Sequence, residues 1–337
     1  FGNARGTGGP SATGVIGYAK PDYLYADKVI VVTDNLVDLP CFPMEIEGNY
    51  VDYVVVVDKI GIPEKIVSGT TQITKSPDRL LIAELTTSFL EKSGLLRNGA
   101  TMQAGAGGTS LAIAVYVHQL LKKKGWKLSF GFGGSTKYMV DMLEEGQMGY
   151  ILDAQAFDLD SVKSIEKNLN HIPYPVFNAY NYHSKGNLTT MMDIMILGAT
   201  EIDTGFNGNV VTHSDGLLLH GIGGWQNCLH ARNVIIPVPL FRDRIPVIVD
   251  RVTTLCGPGE LIDVIITERG IAINPRRQDL IDSVRGKGLP LVTIEELKDI
   301  AEKMCGKPEK AAFDDRVVAA IKWVDGTVID AVRKVKR

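Results

Sequence analysis

Cysteine is scarce: four residues, at 41, 228, 256 and 305, with no C-x-x-C pair and no metal-ligand spacing to histidine. That argues against a disulfide framework or a zinc site, so no metal is expected. Free, mostly buried thiols in a reducing cytoplasm are expected instead. Long apolar runs are missing as well. None approaches the roughly 18 residues that a membrane-spanning helix needs, and no signal peptide is visible. There is no basic excess either. The net charge is −3, so neither nucleic acid nor an anionic membrane is an expected partner. The basic runs that do occur, Lys122-Lys123-Lys124 and the tail 333–337, read as solvated helix ends. The sequence has no G-x-S-x-G elbow, no H-E-x-x-H and no Walker loop. Its six histidines, at 118, 171, 183, 213, 220 and 230, lie outside any nucleophile motif.

What is abundant is glycine, 35 residues in 337, clustered where strands give way to helices. Continuous apolar runs at 29–32, 54–57, 193–197, 234–236 and 263–267 read as strands covered on both faces. Ser76 followed by Pro77 reads as the start of a helix that runs to Gly94. Further helices are expected over 110–123 and 137–145, and the Thr293/Glu296 spacing predicts a capping box for another. The stretch 60–76 has little periodicity, and 130–134 reads as a glycine-rich turn. Alternating short strands and helices predict an α/β fold with a largely parallel sheet, and a domain boundary near 75. The opening, Phe1-Gly2-Asn3-Ala4-Arg5-Gly6, reads as a loop leading straight into core strands, as if part of a first domain were missing.

Four groups of residues suggest chemistry. Gly105-Ala106-Gly107-Gly108-Thr109-Ser110 joins a strand to a helix, so its backbone lets a ligand come close at a helix N-terminus. It departs from a dinucleotide fingerprint: Ser110 replaces the third glycine, and no acidic residue follows about 20 positions on. The readings left open are a phosphate or acyl-thioester contact, a plain tight turn and, least favoured, a dinucleotide contact. Gly221-Ile222-Gly223-Gly224-Trp225 could aim two N–H groups at one point, as an oxyanion hole requires, or could be a simple bulge. A polar set comprises Glu201, Asp203, Asn207, Asn209 and Glu268, the last just beyond an apolar strand, where open α/β sheets bind ligands. Finally, Arg242, Arg244, Arg251, Arg276 and Arg277 include candidates for a bidentate grip on a carboxylate.

Together these segments resemble the citrate lyase alpha-subunit family, within the family I CoA-transferases. The likeness spans nearly the whole chain. It is carried by Met102-Gln103-Ala104-Gly105-Ala106-Gly107-Gly108, Ser214-Asp215-Gly216, Val252-Thr253-Thr254 and, most specifically, Thr267-Glu268-Arg269-Gly270-Ile271-Ala272-Ile273-Asn274-Pro275-Arg276-Arg277. The resemblance implies an α/β fold of two similar CoA-transferase-type domains, the first incomplete. Residues 1–75 would be the C-terminal part of the first domain, and 76–337 the second. It implies acyl transfer from an acetyl-thioester to citrate. The thioester carrier would be coenzyme A or the CoA-derived prosthetic group of an acyl-carrier protein. Implied partners are that carrier protein, the lyase subunits of a citrate lyase complex, a small organic acid and further copies of the chain. Gly105, Gly107 and Gly108 would lie under the thioester, Gly223 and Gly224 would form the oxyanion loop, and Asn209 and Glu268 would be the family's Asn–Glu pair. Trp225, Asn227 and Arg276 would touch the substrate.

Two departures stand out. Many CoA-transferases carry a nucleophilic glutamate where this chain has Gly133, and 130–134 contain no carboxylate. The citrate lyase alpha subunits resemble this chain there, which implies direct attack by the substrate carboxylate with no acyl-glutamyl enzyme. Trp225 and Asn227 also replace a His or small residue and an Asp. That leaves open a CoA-transferase or thioesterase for another organic acid, and the missing glutamate leaves open a non-catalytic assembly subunit.

Overall fold

The computed structural model describes residues 1–66, 72–183, 187–309 and 311–336. Part of the irregular stretch 60–76 and the last residue of the basic tail lie outside them. The chain forms two compact units, Phe1–Ile73 with Asn98–Leu188, and Thr74–Arg97 with Thr189–Arg337. The expected boundary near 75 lies at the first passage between units; residues 98–188, expected with the second domain, cluster with the first unit.

In the first unit, helix α1 (Ala19–Tyr25) precedes strands β1 (Ile30–Thr33) and β2 (Tyr53–Val56), which pair in parallel. The expectation that these apolar runs are covered on both faces does not hold. Val54, Val55 and Val56 are 41%, 43% and 56% exposed. An apolar run reports a preference for burial, but here the pair forms its own two-stranded sheet and its valines stay open to solvent.

The chain then enters the second unit for helix α2 (Pro77–Ser93). Pro77 occupies its first turn, and Gly94 ends it in the left-handed conformation at φ 78°. Ser76 stands at the N-cap position, but its hydroxyl makes no capping bond. Ile82, Ala83, Thr86, Thr87, Phe89 and Leu90 form the buried stripe.

Back in the first unit, β3 (Met102–Ala104), α3 (Gly108–Lys124), β4 (Leu128–Ser135), α4 (Lys137–Glu144), β5 (Met148–Ala156), α5 (Leu159–Lys167) and β6 (His171–Pro173) alternate regularly. The four strands form a parallel sheet in chain order, followed by the short helix α6 (Val176–Ala179). The expected glycine-rich turn at 130–134 is instead the middle of β4. Glycine is used there for close approach, not for turning. A Cβ on Gly131 would sit 2.7 Å from the Met139 Cε, and one on Gly134 would collide with the Phe157 ring.

The ends of this sheet are tied by a buried polar cluster. Asp153 on β5 is fully buried; its carboxylate accepts from Ser135 N and Oγ at 3.1 and 2.6 Å. His171 Nε2 lies 3.1 Å from the same carboxylate, and its Nδ1 lies 2.9 Å from Ser164 Oγ on α5. The composition is that of a serine–histidine–aspartate set, but burial makes it a clamp joining β4, β5, β6 and α5.

In the second unit, β7 (Ile194–Ile196), β10 (Val234–Pro237) and β14 (Val264–Thr267) are parallel, and β15 (Gly270–Ile273) is antiparallel to β14. Between β7 and β10 come β8 (Glu201–Asp203), β9 (Gly208–Asn209) and the short helix α7 (Trp225–Cys228). Between β10 and β14 come the hairpin β11 (Phe241–Arg242) and β12 (Ile245–Pro246), then β13 (Ile248–Val249), which pairs with β8. Helices α2 and α8 (Gln278–Val284) pack together, and α2 also packs on β10 and β14. Helix α9 (Ile294–Cys305) has the expected capping box between Thr293 and Glu296. The last pair of strands, β16 (Phe313–Lys322) and β17 (Val328–Val335), is antiparallel, so residues 333–335 of the basic tail lie in a strand rather than at a helix end. Among the described residues no helix is long and apolar enough to cross a membrane.

Replacing Asp153 by Ala strands the buried His171 and Ser135 groups. Urea unfolding should show a loss of about 3 kcal/mol or more; a loss under about 1 kcal/mol would mean the cluster is not a clamp.

Candidate functional site

Some candidate residues lie on segments that leave parallel strands, and others on or after the antiparallel strands β9 and β15. In the first unit, 105–107 connect β3 to α3, with Gly107 as N-cap and Gly108 as the first helical residue. A Cβ on Gly107 would meet nothing within 4 Å, and one on Gly105 only the Ser110 Oγ at 3.5 Å. Packing therefore does not demand these glycines, whereas a ligand approaching the N–H groups at the head of α3 would. Just before the loop, the buried Gln103 Oε1 has no hydrogen-bond partner. An unpaired buried acceptor costs about 1–3 kcal/mol, so Gln103 joins the site. In the sequence Gln103 carries no candidate role of its own; its signals are its place on β3 just before the glycine loop and within the family motif 102–108.

Gln103 also faces Gly133. That residue has φ 112°, and a Cβ there would lie 3.2 Å from Gln103 Cγ. The position thus opposes a glutamate twice, through backbone conformation and through space.

In the second unit, the segments leaving β7, β10 and β14 carry 198–201, 240–242 and Glu268. The polar set condenses around Glu201, which is 2% exposed. Its Oε2 accepts from Asn209 Nδ2 at 2.8 Å and Thr253 N at 2.7 Å; its Oε1 accepts from Ser214 Oγ at 2.5 Å and Thr253 Oγ1 at 3.0 Å. Asn209 is fully buried; its Oδ1 accepts from Val211 N and Thr212 N at 3.0 and 3.1 Å. Its amide also donates to Thr212 O at 3.0 Å. Asn209 therefore pairs with Glu201. Glu268, its expected partner, is engaged elsewhere: its side chain is 6% exposed, and its Oε2 accepts from Leu240 N at 3.0 Å. Asp203 is likewise structural, holding Gly205 N at 2.9 Å and Asn207 N at 3.0 Å. Cys256 lies beside Asn209, and burial pushes its thiol pKa up, which removes it as a nucleophile.

The glycine pair leads into α7. Gly223 is exposed with φ 60°, and a Cβ on it would meet nothing within 4 Å. Trp225, by contrast, is only 9% exposed. Its indole N–H donates to Gly198 O at 2.8 Å, and its ring fills the space a Cβ on Gly208 or Gly257 would need, at 2.7 and 2.5 Å. It is a packing residue that anchors the glycine loop to the segment after β7. Asn227 lies on α7, and its carbonyl accepts from His230 N at 3.3 Å. Arg276 is 70% exposed and sits 3.6 Å from Glu260, on the surface. Arg277 is committed to Asp263 and Asp279, each at 2.8 Å, and these bonds raise its pKa above the usual guanidinium range.

A cleft of about 630 Å³ opens in the first unit between the N-terminal loop and the uncovered β1, lined by Ser11, Thr13, Ile30, Val32 and Asp34 among others. None of the glycine-loop residues lines it. Among the described residues no group of His, Cys, Asp and Glu could hold a metal.

Parallel strands with helices between them, and a glycine loop on the segment leaving β3, define an α/β protein. The malonate decarboxylase alpha subunit of Acinetobacter baumannii shares the fold, with a TM-score of 0.60 at 19% identity over 88% of this chain and 62% of that one. The chain belongs to the family described as citrate lyase, alpha subunit, whose model matches residues 1–335. It is 42% identical to the citrate lyase alpha chain of Klebsiella pneumoniae over all of this chain and 66% of that one. To the Haemophilus influenzae citrate lyase alpha chain it is 40% identical over all of this chain and 67% of that one. A crystal structure of a Streptococcus mutans protein, described as an alpha subunit of citrate lyase in complex with citrate, superposes with a TM-score of 0.95 at 42% identity. That match covers 99% of this chain and 66% of the other. The chain thus spans about two thirds of the length of the relatives it matches.

Gly133→Ala forces a side chain into a positive-φ position against Gln103. It should lower stability by about 1–3 kcal/mol in denaturant unfolding; an unchanged midpoint would show that the backbone there is not held at positive φ.

Proposed function

We propose that the protein transfers an acyl group from an acetyl-thioester to citrate, giving a citryl-thioester and acetate. The observation that carries this reading is the open loop 105–108 at the head of α3, with the unpaired Gln103 Oε1 beside it. Membership of the citrate lyase alpha-subunit family and the citrate complex of the Streptococcus mutans relative support it. The thioester carrier would be coenzyme A or the CoA-derived arm of an acyl-carrier protein, and it supplies the thiolate leaving group. Gly105, Gly107 and Gly108 would receive it, because the surroundings of Gly105 and Gly107 leave room and Gly108 opens α3, which offers its N–H groups.

The reaction proceeds in two exchanges. A citrate carboxylate oxygen attacks the acetyl carbon, and the C–S bond breaks to release thiolate and leave an acetic–citric anhydride. The thiolate then attacks the citryl carbon, and acetate departs. No enzyme carboxylate takes part, which agrees with Gly133 standing where a side chain does not fit. Rate enhancement would come from holding the reactants together and from N–H groups at Gly223 and Gly224 facing the developing oxyanion. Asn209 and Glu268 act as positioning residues, since their polar atoms hold protein groups: Asn209 shapes the turn at 209–212, and Glu268 fixes Leu240. Trp225 likewise serves through Gly198, so its presence gives no ground for a different acid substrate.

As partners this reading takes the acyl-carrier protein and the lyase subunits of a citrate lyase complex, with the chain itself assembling into a homo-oligomer. It takes residues 1–75 as the C-terminal part of a first CoA-transferase domain and 76–337 as the second, a division by family likeness that differs from the compact units, in which 98–188 join 1–73.

With the full-length protein, labelled acetyl-CoA should release acetate only when citrate is added. Borohydride treatment after acetyl-CoA alone should leave every glutamate unreduced in mass spectra. A stoichiometric reduced glutamate would overturn the direct mechanism, and citrate-independent acetate release would overturn the acceptor.

A further inference from the structure

Some buried or half-buried charges in the second unit are matched. Arg277 has Asp263 and Asp279, and Lys298 has Asp250, Asp299 and Glu302. Arg242, like the buried carboxylates Glu201 and Asp203, is held by uncharged groups. It is half-buried on β11, and its guanidinium donates to two backbone carbonyls, Ala199 O at 2.7 Å and Thr200 O at 3.3 Å. Among the described residues no carboxylate pairs with it. Burial, and then the positive charge of Arg79, press its pKa below the usual guanidinium value. Arg79 is exposed in the first turn of α2, where the helix end adds its own partial positive charge, and no carboxylate among the described residues pairs with it either. Two guanidiniums within electrostatic reach, one of them half-buried and bonded only to neutral oxygens, form an arrangement that an anion stabilises.

Its surroundings indicate which anion. Arg242 is held by Ala199 and Thr200, the two residues after Gly198, and Gly198 O accepts from the Trp225 indole at the end of the Gly223-Gly224 loop. Thr200 N and Oγ1 both bond to Asn209 O, at 2.7 and 2.8 Å. On the other side, Glu268 fixes Leu240, two residues before Arg242. The cation is therefore anchored to the same short segment as the proposed oxyanion loop, at the end of the site where the acid reacts. A planar fork of donors also matches a carboxylate better than it matches a single oxygen.

We infer that Arg242, assisted by Arg79, binds a carboxylate of the small polycarboxylic acid substrate and selects for acids with a second or third carboxylate. This rests on the acyl-transfer reading above. It also places the carboxylate grip on Arg242 rather than on the exposed Arg276.

The test is calorimetric titration of the full-length protein with citrate and, separately, with coenzyme A. Arg242→Gln should weaken citrate binding tenfold or more, and Arg79→Gln threefold or more, with coenzyme A affinity unchanged. Arg79 is exposed and makes no structural hydrogen bond among the described residues, so Arg79→Gln decides the matter should Arg242→Gln fail to fold. Wild-type citrate binding with equal affinity in folded Arg79→Gln overturns the inference alone. A loss confined to coenzyme A assigns the pair to a phosphate and also overturns it. A wild type that binds no citrate overturns both the inference and the reading on which it rests.

Discussion

The carboxylate of Glu201 is buried, and the geometry of the second unit's site follows from how that charge is accommodated. Four donors, from Asn209, Ser214 and both the backbone and side chain of Thr253, converge on its two oxygens. A buried carboxylate without them would cost several kcal/mol, so Glu201 draws three separate stretches of chain to one point. Asn209 extends the arrangement by bonding Val211, Thr212 and, through its backbone carbonyl, Thr200. The same short segment, 198–201, also receives the Trp225 indole and the Arg242 guanidinium. The polar core thus serves the chemistry by fixing the places of groups that lie further out.

Glycine plays three distinct roles. At Gly131, Gly134, Gly208 and Gly257 it makes room for the neighbouring Met139, Phe157 and Trp225 side chains. At Gly133 it permits a backbone conformation and leaves no place for a nucleophile. At Gly105 and Gly107 neither packing nor a positive φ requires glycine, and those are the positions where an outside group has reason to approach. The three roles look alike in a sequence and separate only when the neighbours are known.

Local features were legible because their causes are local. The strands at 194–196, 234–237 and 264–267 are apolar enough to declare themselves; Pro77 marks a helix start through its fixed φ, and the Thr293/Glu296 box through bonds to adjacent backbone groups. The glycine-rich strand β4 was misread as a turn, because local composition does not show that Met139, Met148 and Phe157 occupy the space beside it. The tail was misread as a helix end, because its basic residues do not reveal the partner strand β16 that pairs with it. The pairing of Asn209 with Glu201 rather than Glu268 was equally hidden. Both carboxylates were candidates, and nothing in the spacing ranks them.

By itself the sequence determined the α/β class, most of the apolar strands, the glycine loop at the head of α3 and, through long specific motifs, the family. These depend on periodicity, capping chemistry and residue identity, which are properties of short stretches. Only the tertiary structure decided which polar residues are held inside the protein and which face outward. It placed Asn209 and Trp225 in the packing, Arg276 on the surface, and Arg242 against two carbonyls with Arg79 as its charged neighbour. A side chain's role depends on burial and on the charges around it, and both are set by segments far apart in the chain.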